Sequence, residues 1–381
     1  MASWAFGSTP LAVVGLGFAL VGLFSRLWAR AARGSIALER RLLPGDRVEG
    51  SDLVVEIRAR HHRRLLGGSV VLRQGLGESR QSVRMRRSHT VIVFAGLPRG
   101  RHALEPLEAV LADPLGLEHV EQRLGERSDV LIRPRIPVLA SVFSTHGARD
   151  AGAARSRYRR PTGFEIHAVR DYAPGEPLRA VHWPSTARRG RLMVKELDDA
   201  PRDDLAVILD QDVDGVAGPR GRSSFDAAVR TAGALALAHV LWNRRVVLVG
   251  TATSGEAVRV RSPGHDCGVA LDALATVMPM AGAHVDRALR TPDAAVSRAR
   301  EIVVVTGCPG RAVAPLLELR RGGRTVSLVV IAAETFAGRP RGPSDIAVLR
   351  ASAQGVPIAV VTADRPIEEA LAGRLLGAAG G

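Results

Sequence analysis

Three patterns of apolar and polar positions follow one another along the chain. Residues 1–25 carry no charge, and 11–24 are almost unbroken apolar sequence. A helix that starts at Pro10, is capped by Thr9 and runs past Trp28 has about the ~20 residues that a bilayer core requires, with Trp4 and Trp28 flanking it at interfacial depth. From 36 to about 137 the pattern becomes short alternating runs at 52–57, 69–73, 81–84, 90–94 and 100–106, broken at Pro44-Gly45, Gly67-Gly68, Gly75 and Pro98. Alternation at this spacing predicts an antiparallel β-sandwich. From 204 onward, runs at 205–210, 246–253, 302–306, 325–332 and 357–362 alternate with helical patterns at 223–245, 267–277, 312–321 and 344–354. Unbroken apolar runs suit strands buried on both faces, so this part reads as a mostly parallel, doubly wound α/β sheet.

Between the last two patterns, residues 163–196 look specified position by position. Phe164, Ile166 and Ala168 alternate at strand period, and Pro174-Gly175 suits a type II turn. Pro177 suits the first turn of a short helix that Pro184 would stop, with Arg179, His182 and Trp183 on one face. Leu192, Val194 and Leu197 indicate a second strand. The order Gly163-Phe164, Arg170-Asp171-Tyr172, Pro174-Gly175-Glu176, Arg179, His182-Trp183, Ser185, Ala187-Arg188, Lys195-Glu196 closely resembles the signature of the bacterial DUF58 family. Pro184 departs from it where a basic residue is common, and Glu176 where Asp is frequent. Asp113-Pro114-Leu115-Gly116-Leu117 resembles the family's segment just after its sandwich. The resemblance implies a membrane-anchored protein with a von Willebrand factor A-like C-terminal domain and a MoxR-type AAA+ ATPase as partner, without a settled chemical activity. The family commonly carries a hairpin of two membrane helices; one is visible in this sequence.

Charge refines the picture. The formal net charge is +15 from 53 basic and 38 acidic residues. Of these, 32 basic and 20 acidic residues lie in 26–200, net +12, and 21 and 18 lie in 201–381, net +3. The excess is all arginine apart from Lys195, and it follows the apolar stretch directly. Arg26, Arg30 and Arg33 place the bulk of the chain in the cytoplasm by the positive-inside rule. Ala29-Arg30-Ala31 offers a competing signal-peptide reading, but no basic residue precedes the apolar run. Aromatic residues make up only 4%, which argues against a nucleic-acid platform. Residues 144–162, with Arg155, Arg157, Arg159 and Arg160 around Tyr158, read as a solvated linker; binding of an anionic ligand or nucleic acid there is an alternative. His61-His62 reads as a solvated loop, and Cys267 and Cys308 as small core residues outside any metal-ligand spacing.

Two constellations remain. The signature residues Arg170, Asp171, Tyr172, Arg179, His182, Trp183 and Arg188 admit a structural reading, with Trp183 as a buried anchor beside a charge network of Arg170, Asp171, Arg179 and Arg188. They also admit a docking reading, because Arg, Tyr and Trp dominate interface hot spots. The structural reading is the expectation. His182 and Ser185 lack the elbow and oxyanion loop of a nucleophilic enzyme. The second constellation is Asp210, Asp212 and Asp214 at the end of the first α/β strand, where open sheets bind ligands. A metal-binding A domain has Asp-x-Ser-x-Ser there, with a Thr and a further Asp from later loops. Both hydroxyl residues are replaced, and Thr306-Gly307 lacks the Asp. An EF-hand fails because its twelfth position is Gly221. Mg²⁺ or Ca²⁺ on this cluster would suit a metal-dependent hydrolase; a solvated loop facing Arg220 and Arg222 explains it as well. No phosphate-binding Gly-x-x-x-x-Gly-Lys loop occurs.

The sequence therefore predicts a membrane anchor (1–35), an immunoglobulin-like β-sandwich (36–143), an Arg-rich linker (144–162), the signature (163–200) and a von Willebrand A-like α/β domain (201–381). It predicts no resident cofactor. The expected role is a single-pass cell-membrane interaction module working with an AAA+ ATPase rather than an enzyme.

Overall fold

The computed structural model describes residues 9–33, 36–62, 68–85, 88–142, 149–150, 166–171, 181–197, 205–242, 244–252, 258–260, 264–291, 294–342 and 345–372. The chain forms two compact units, Met1–Pro134 and Arg135–Gly381. Trp4, Tyr172, Arg179 and nearly all of the Arg-rich stretch 144–162 lie outside the described residues.

The first unit opens with helix α1 (Thr9–Ala32), followed by strands β1 (Ile36–Leu42), β2 (Leu53–His62), β3 (Ser69–Leu76), β4 (Ser79–Met85), β5 (His89–Phe94), β6 (Gly100–Leu104), β7 (Leu107–Ala112), β8 (His119–Leu124) and β9 (Ser128–Ile132). They pair as two antiparallel sheets, β1-β2-β5 and β8-β7-β3-β6-β9, with β4 added on β3. Burial alternates along each strand: Leu53, Val55 and Ile57 face inward from β2, and Leu107, Ala109 and Leu111 from β7. Side chains from both sheets share one core. That bears out the alternation read from the sequence, although β1, β7, β8 and β9 were not among the runs it singled out. His61 and His62 end strand β2 rather than lying in a loop.

Helix α1 divides into two parts. Every residue from Pro10 to Phe24 is exposed, and the segment Pro10–Ala32 is long and apolar enough to cross a membrane, with a mean hydropathy of 1.9. Ser25, Trp28, Ala29 and Ala32 are instead buried. Their spacing of i, i+3, i+4 and i+7 is one face of a helix, and it packs into the core of the β-strand unit. Gly68 makes this possible, because a Cβ there would overlap the Trp28 indole and crowd the Ala112 carbonyl. Trp28 is thus a core residue whose ring packs on protein rather than turning to lipid.

The second unit holds β10 (Ser141–Val142), β11 (Arg149–Asp150), β12 (Ile166–Asp171), α2 (Trp183–Arg189), β13 (Met193–Leu197), β14 (Leu205–Leu209), α3 (Ser224–Leu241), β15 (Val246–Gly250), β16 (Val258–Val260), α4 (His265–Thr276), α5 (Val285–Arg290), α6 (Ala294–Ser297), β17 (Glu301–Thr306), α7 (Pro309–Arg321), β18 (Thr325–Ile331), α8 (Ala333–Phe336), α9 (Ile346–Ala353), β19 (Ile358–Val361) and α10 (Ile367–Leu371). Its six-stranded sheet runs β16-β15-β14-β17-β18-β19, parallel except for edge strand β16. All residues of β14 are buried, because the sheet is covered on both faces. Leu205, Val207 and Leu209 pack with α3 on one face. Ala206 and Ile208 pack with α5, α7 and α9 on the other. The capping box of α3 pairs Ser223 with Asp226. At the start of β17 a buried pair joins Arg244 to Glu301 at 2.8 Å. The mostly parallel sheet is as the sequence predicts; edge strand β16 and the short helices α5, α6, α8 and α10 are additions.

Since Trp28 fills a cavity between α1 and the strands, Trp28→Ala in the full chain in detergent should cost about 3–5 kcal/mol, read as a lower Tm. Leu16→Ala, on the exposed part of the same helix, should stay within about 0.5 kcal/mol of the native chain.

Candidate functional site

The acidic loop sits where the chain leaves β14, between neighbours β15 and β17, at the point where the strand order turns both ways. Asp210 is 5% exposed and held from three sides. Its N–H donates to the Val305 carbonyl (2.9 Å), its Oδ2 accepts from the Thr306 hydroxyl (2.5 Å), and its Oδ1 accepts from the Asp212 N–H (3.1 Å). Asp212 in turn caps the 3₁₀ turn Val213–Gly215 through the Asp214 N–H. That turn lays Gly215 against Gly307 so closely that a Cβ on either glycine would meet the other's backbone at 3.0 Å or less.

The side chain of Asp212 is 1% exposed. His284 Nδ1 lies 2.7 Å from its Oδ2, and the Arg311 guanidinium from α7 pairs with the same oxygen. Arg311 reaches Asp214 Oδ2 with its other terminal nitrogen at 2.7 Å. His284 Nδ1 also lies 3.0 Å from the Arg311 guanidinium, so imidazole, guanidinium and carboxylate meet at one point. The loop's carboxylates meet Arg311 and His284, rather than Arg220 and Arg222 as the solvated-loop alternative had them. Arg311 stands three residues beyond Cys308 in sequence, and only the packing of α7 beside β14 brings it to the loop.

These contacts set the ionisation of the site. Burial pushes the Asp210 carboxyl above the usual carboxylate range, and the nearby charge of Asp212 adds to the rise, against the hydrogen bonds from Thr306 and Asp212. Burial works the same way on Asp212, but the His284 hydrogen bond, the Asp214 N–H and the Arg311 charge outweigh it and hold that carboxyl low. Burial, with Asp210 and Asp212 nearby, pushes the Cys308 thiol up to about 11. A thiol of that kind is protonated at neutral pH and is no nucleophile. Among the described residues no group of three or more His, Cys, Asp or Glu side chains is arranged to hold a metal. A divalent cation on Asp210, Asp212 and Asp214 would have to displace the Arg311 guanidinium.

The signature gives a different surface. β12 and β13 form an antiparallel pair, with Arg170 opposite Val194 and Asp171 opposite Met193. Pro184 does not stop a helix; it lies in the first turn of α2, where its missing N–H had no partner to lose. The helix is anchored at its N-terminal boundary and at its middle. The Met193 N–H donates to the Thr186 hydroxyl at 3.0 Å, the His182 N–H donates to the Met193 carbonyl at 2.7 Å, and His182 Nδ1 lies 2.7 Å from Ser185 Oγ. The helix itself buries none of its residues. Trp183, at the start of the helix, is 62% exposed, and Arg188 and Arg189, at its other end, are exposed too. The expectation of a buried tryptophan anchor is overturned: Val181 and Met193 take the buried positions, leaving the indole outside.

Residues 168–335 match the family model described as "Protein of unknown function DUF58". This stretch of the chain is a DUF58 region. The matched region contains α2, the acidic loop, Thr306 and Arg311, so both constellations fall within DUF58 sequence. The chain is also similar to "Uncharacterized protein YeaD" of Bacillus subtilis (strain 168), at 24% identity over 118 residues. That match spans 31% of this chain and 30% of YeaD, less than a third of either length.

Arg311→Ala leaves the buried Asp212 with His284 alone and should cost about 2 kcal/mol near neutral pH. Because the native Asp212 carboxyl is held low, its contribution is full above the unfolded value of about 3.9 and is lost as pH falls through the lowered folded value. Acid unfolding of Arg311→Ala should therefore begin at higher pH than in the native chain. Millimolar Mg²⁺ should raise the Tm of the variant and leave the native Tm unchanged; an equal rise in both would show that Arg311 does not fill the cation's place.

Proposed function

We propose that this DUF58-containing protein is a membrane-anchored interaction module whose α/β unit docks a protein partner through Trp183 and through Arg188 and Arg189 of the same helix. The observation that carries this reading is the 62% exposed indole on a short helix that buries none of its own residues. Tryptophan and arginine are residue types that dominate interface hot spots. The family resemblance points to a MoxR-type AAA+ ATPase as the partner, which would supply the nucleotide chemistry for which this sequence has no loop.

The α/β unit is read as von Willebrand A-like, and the two-sheet unit as immunoglobulin-like. Strand order, the aspartate closing the first strand and Thr306 facing it support the first assignment. Arg311 then takes the position that a metal ion holds in metal-binding members. This favours adhesion-type docking over metal-dependent hydrolysis.

Helix α1 is read as an uncleaved span, with Arg26, Arg30 and Arg33 on the cytoplasmic side. The burial of Ser25, Trp28, Ala29 and Ala32 supports it, since a cut near Ala31 would remove residues of the folded core.

The test is purification of the full chain in detergent with the cognate AAA+ ATPase. Trp183→Ala should keep the native stability within about 0.5 kcal/mol, as expected for an exposed site, and weaken association with the ATPase at least tenfold. Retained association with an unchanged Tm would remove Trp183 from the interface; a large fall in Tm would return it to a structural role.

A further inference from the structure

The tip of the β7–β8 connection carries Leu115 and Leu117, 55% and 59% exposed. This is not a loose loop. The Asp113 N–H donates to the Glu118 carbonyl (3.0 Å), the Glu118 N–H donates to Asp113 Oδ1 (3.0 Å), and the Gly116 N–H donates to the Asp113 carbonyl (3.1 Å). Gly116 adopts φ 71°, so the turn closes without strain. The tip therefore presents both leucines from a fixed frame.

The frame is tied to α1. The remaining oxygen of Asp113, Oδ2, accepts from the Ser25 hydroxyl at 2.8 Å, and both residues are buried. Further along β8, the Gln122 side chain donates to the Ala32 carbonyl at 3.3 Å. These two ties fix the direction. β8 runs beside the C-terminal turns of α1, and its leading tip lies level with Ser25, where the helix emerges from the strands. Leu23, Phe24 and Leu27 are exposed at the same level.

Length locates the membrane boundary. The exposed apolar part, residues 10–24, rises about 22 Å at 1.5 Å per residue, short of a hydrocarbon core of about 30 Å. If α1 spans a bilayer whose core begins at Pro10, that core reaches the Ser25 level, and the Arg26 and Arg30 side chains extend from there to the headgroups. A turn locked at that level meets lipid.

We infer that the Asp113–Glu118 turn is a lipid-contacting wedge, with Leu115 and Leu117 seated at the boundary between headgroups and acyl chains of the leaflet that α1 leaves. The partner is the bilayer itself, and the inference rests on the reading of α1 as a span. Two leucines beside a helix add apolar contact area in the interfacial plane and fix the height of the strands above the membrane. The apolar tip continues the exposed apolar surface of α1, which is why lipid rather than another occupant is assigned to it.

The full chain, with Cys267→Ser and Cys308→Ser, is reconstituted into phosphatidylcholine/phosphatidylglycerol vesicles with a nitroxide on Leu115→Cys or Leu117→Cys. Companion labels go on Leu16→Cys in α1 and Val91→Cys on β5, and relaxation by oxygen and by a water-soluble nickel chelate is compared. The expected result is an oxygen-to-nickel ratio several-fold higher at 16, 115 and 117 than at 91. If 16 reads as lipid while 115 and 117 read as water, the wedge is wrong and the span stands. If 16 also reads as water, the span itself fails. Labels at 115 and 117 that are immobilised and shielded from both reagents would mean that protein, a second copy or a partner, covers the tip, which overturns lipid contact.

Discussion

A carboxylate with 1% of its side chain exposed cannot remain ionised unless something positive meets it, and the carboxyl edge of the α/β sheet is arranged around that demand at Asp212. The cation comes from α7, so the pair pins the beginning of that helix to the loop after β14. The same carboxylate caps a 3₁₀ turn, and the turn brings Gly215 onto Gly307, where two backbones meet with no room for a side chain. Asp210, one step earlier, is tied to β17 through Thr306 and the Val305 carbonyl. Loops from the two sides of the strand-order reversal are thus joined by one charge network rather than left apart as a cleft.

The consequence is a division of labour within the second unit. At the acidic loop the charges are matched internally, which gives rigidity and little appetite for a ligand. At α2 the reverse holds: the helix is held through the Thr186 hydroxyl at its middle and the His182 N–H just before it, while its aromatic and basic side chains are exposed. A site whose groups are all matched makes a poor docking surface, because a newcomer has to break existing pairs before gaining its own. An indole left in water can be covered at a net gain.

Much of this fold was legible in the sequence, because burial on two faces writes continuous apolar runs and burial on one face writes alternation. The strands at 205–209, 301–306 and 325–331 and the helix at 224–241 follow from such runs. What escaped depends on distance in sequence. Arg311 lies 99 residues from Asp212 and His284 lies 72 away, so no local spacing announces their meeting. Trp183 was misread for another reason: tryptophan is usually placed where its large ring is buried, but here the residues flanking the seven-residue helix, Val181 before it and Met193 after it, take the buried positions. At Trp28 what went unread is the packing. The apolar run hides a four-residue stripe, Ser25, Trp28, Ala29 and Ala32, whose small members read as filler until a strand packs against them.

That stripe makes α1 a shared part rather than a tether. Its first turns are apolar all round, and its last two complete a core that also needs strands from both sheets. The β-strand unit therefore cannot finish folding ahead of its helix: until Trp28 is delivered, the trench beside Gly68 stays open and apolar. Assembly has an order written into it, with placement of the helix first and closure of the strands after. A chain shortened to begin at β1 would carry that unfilled trench as a permanent sticky face.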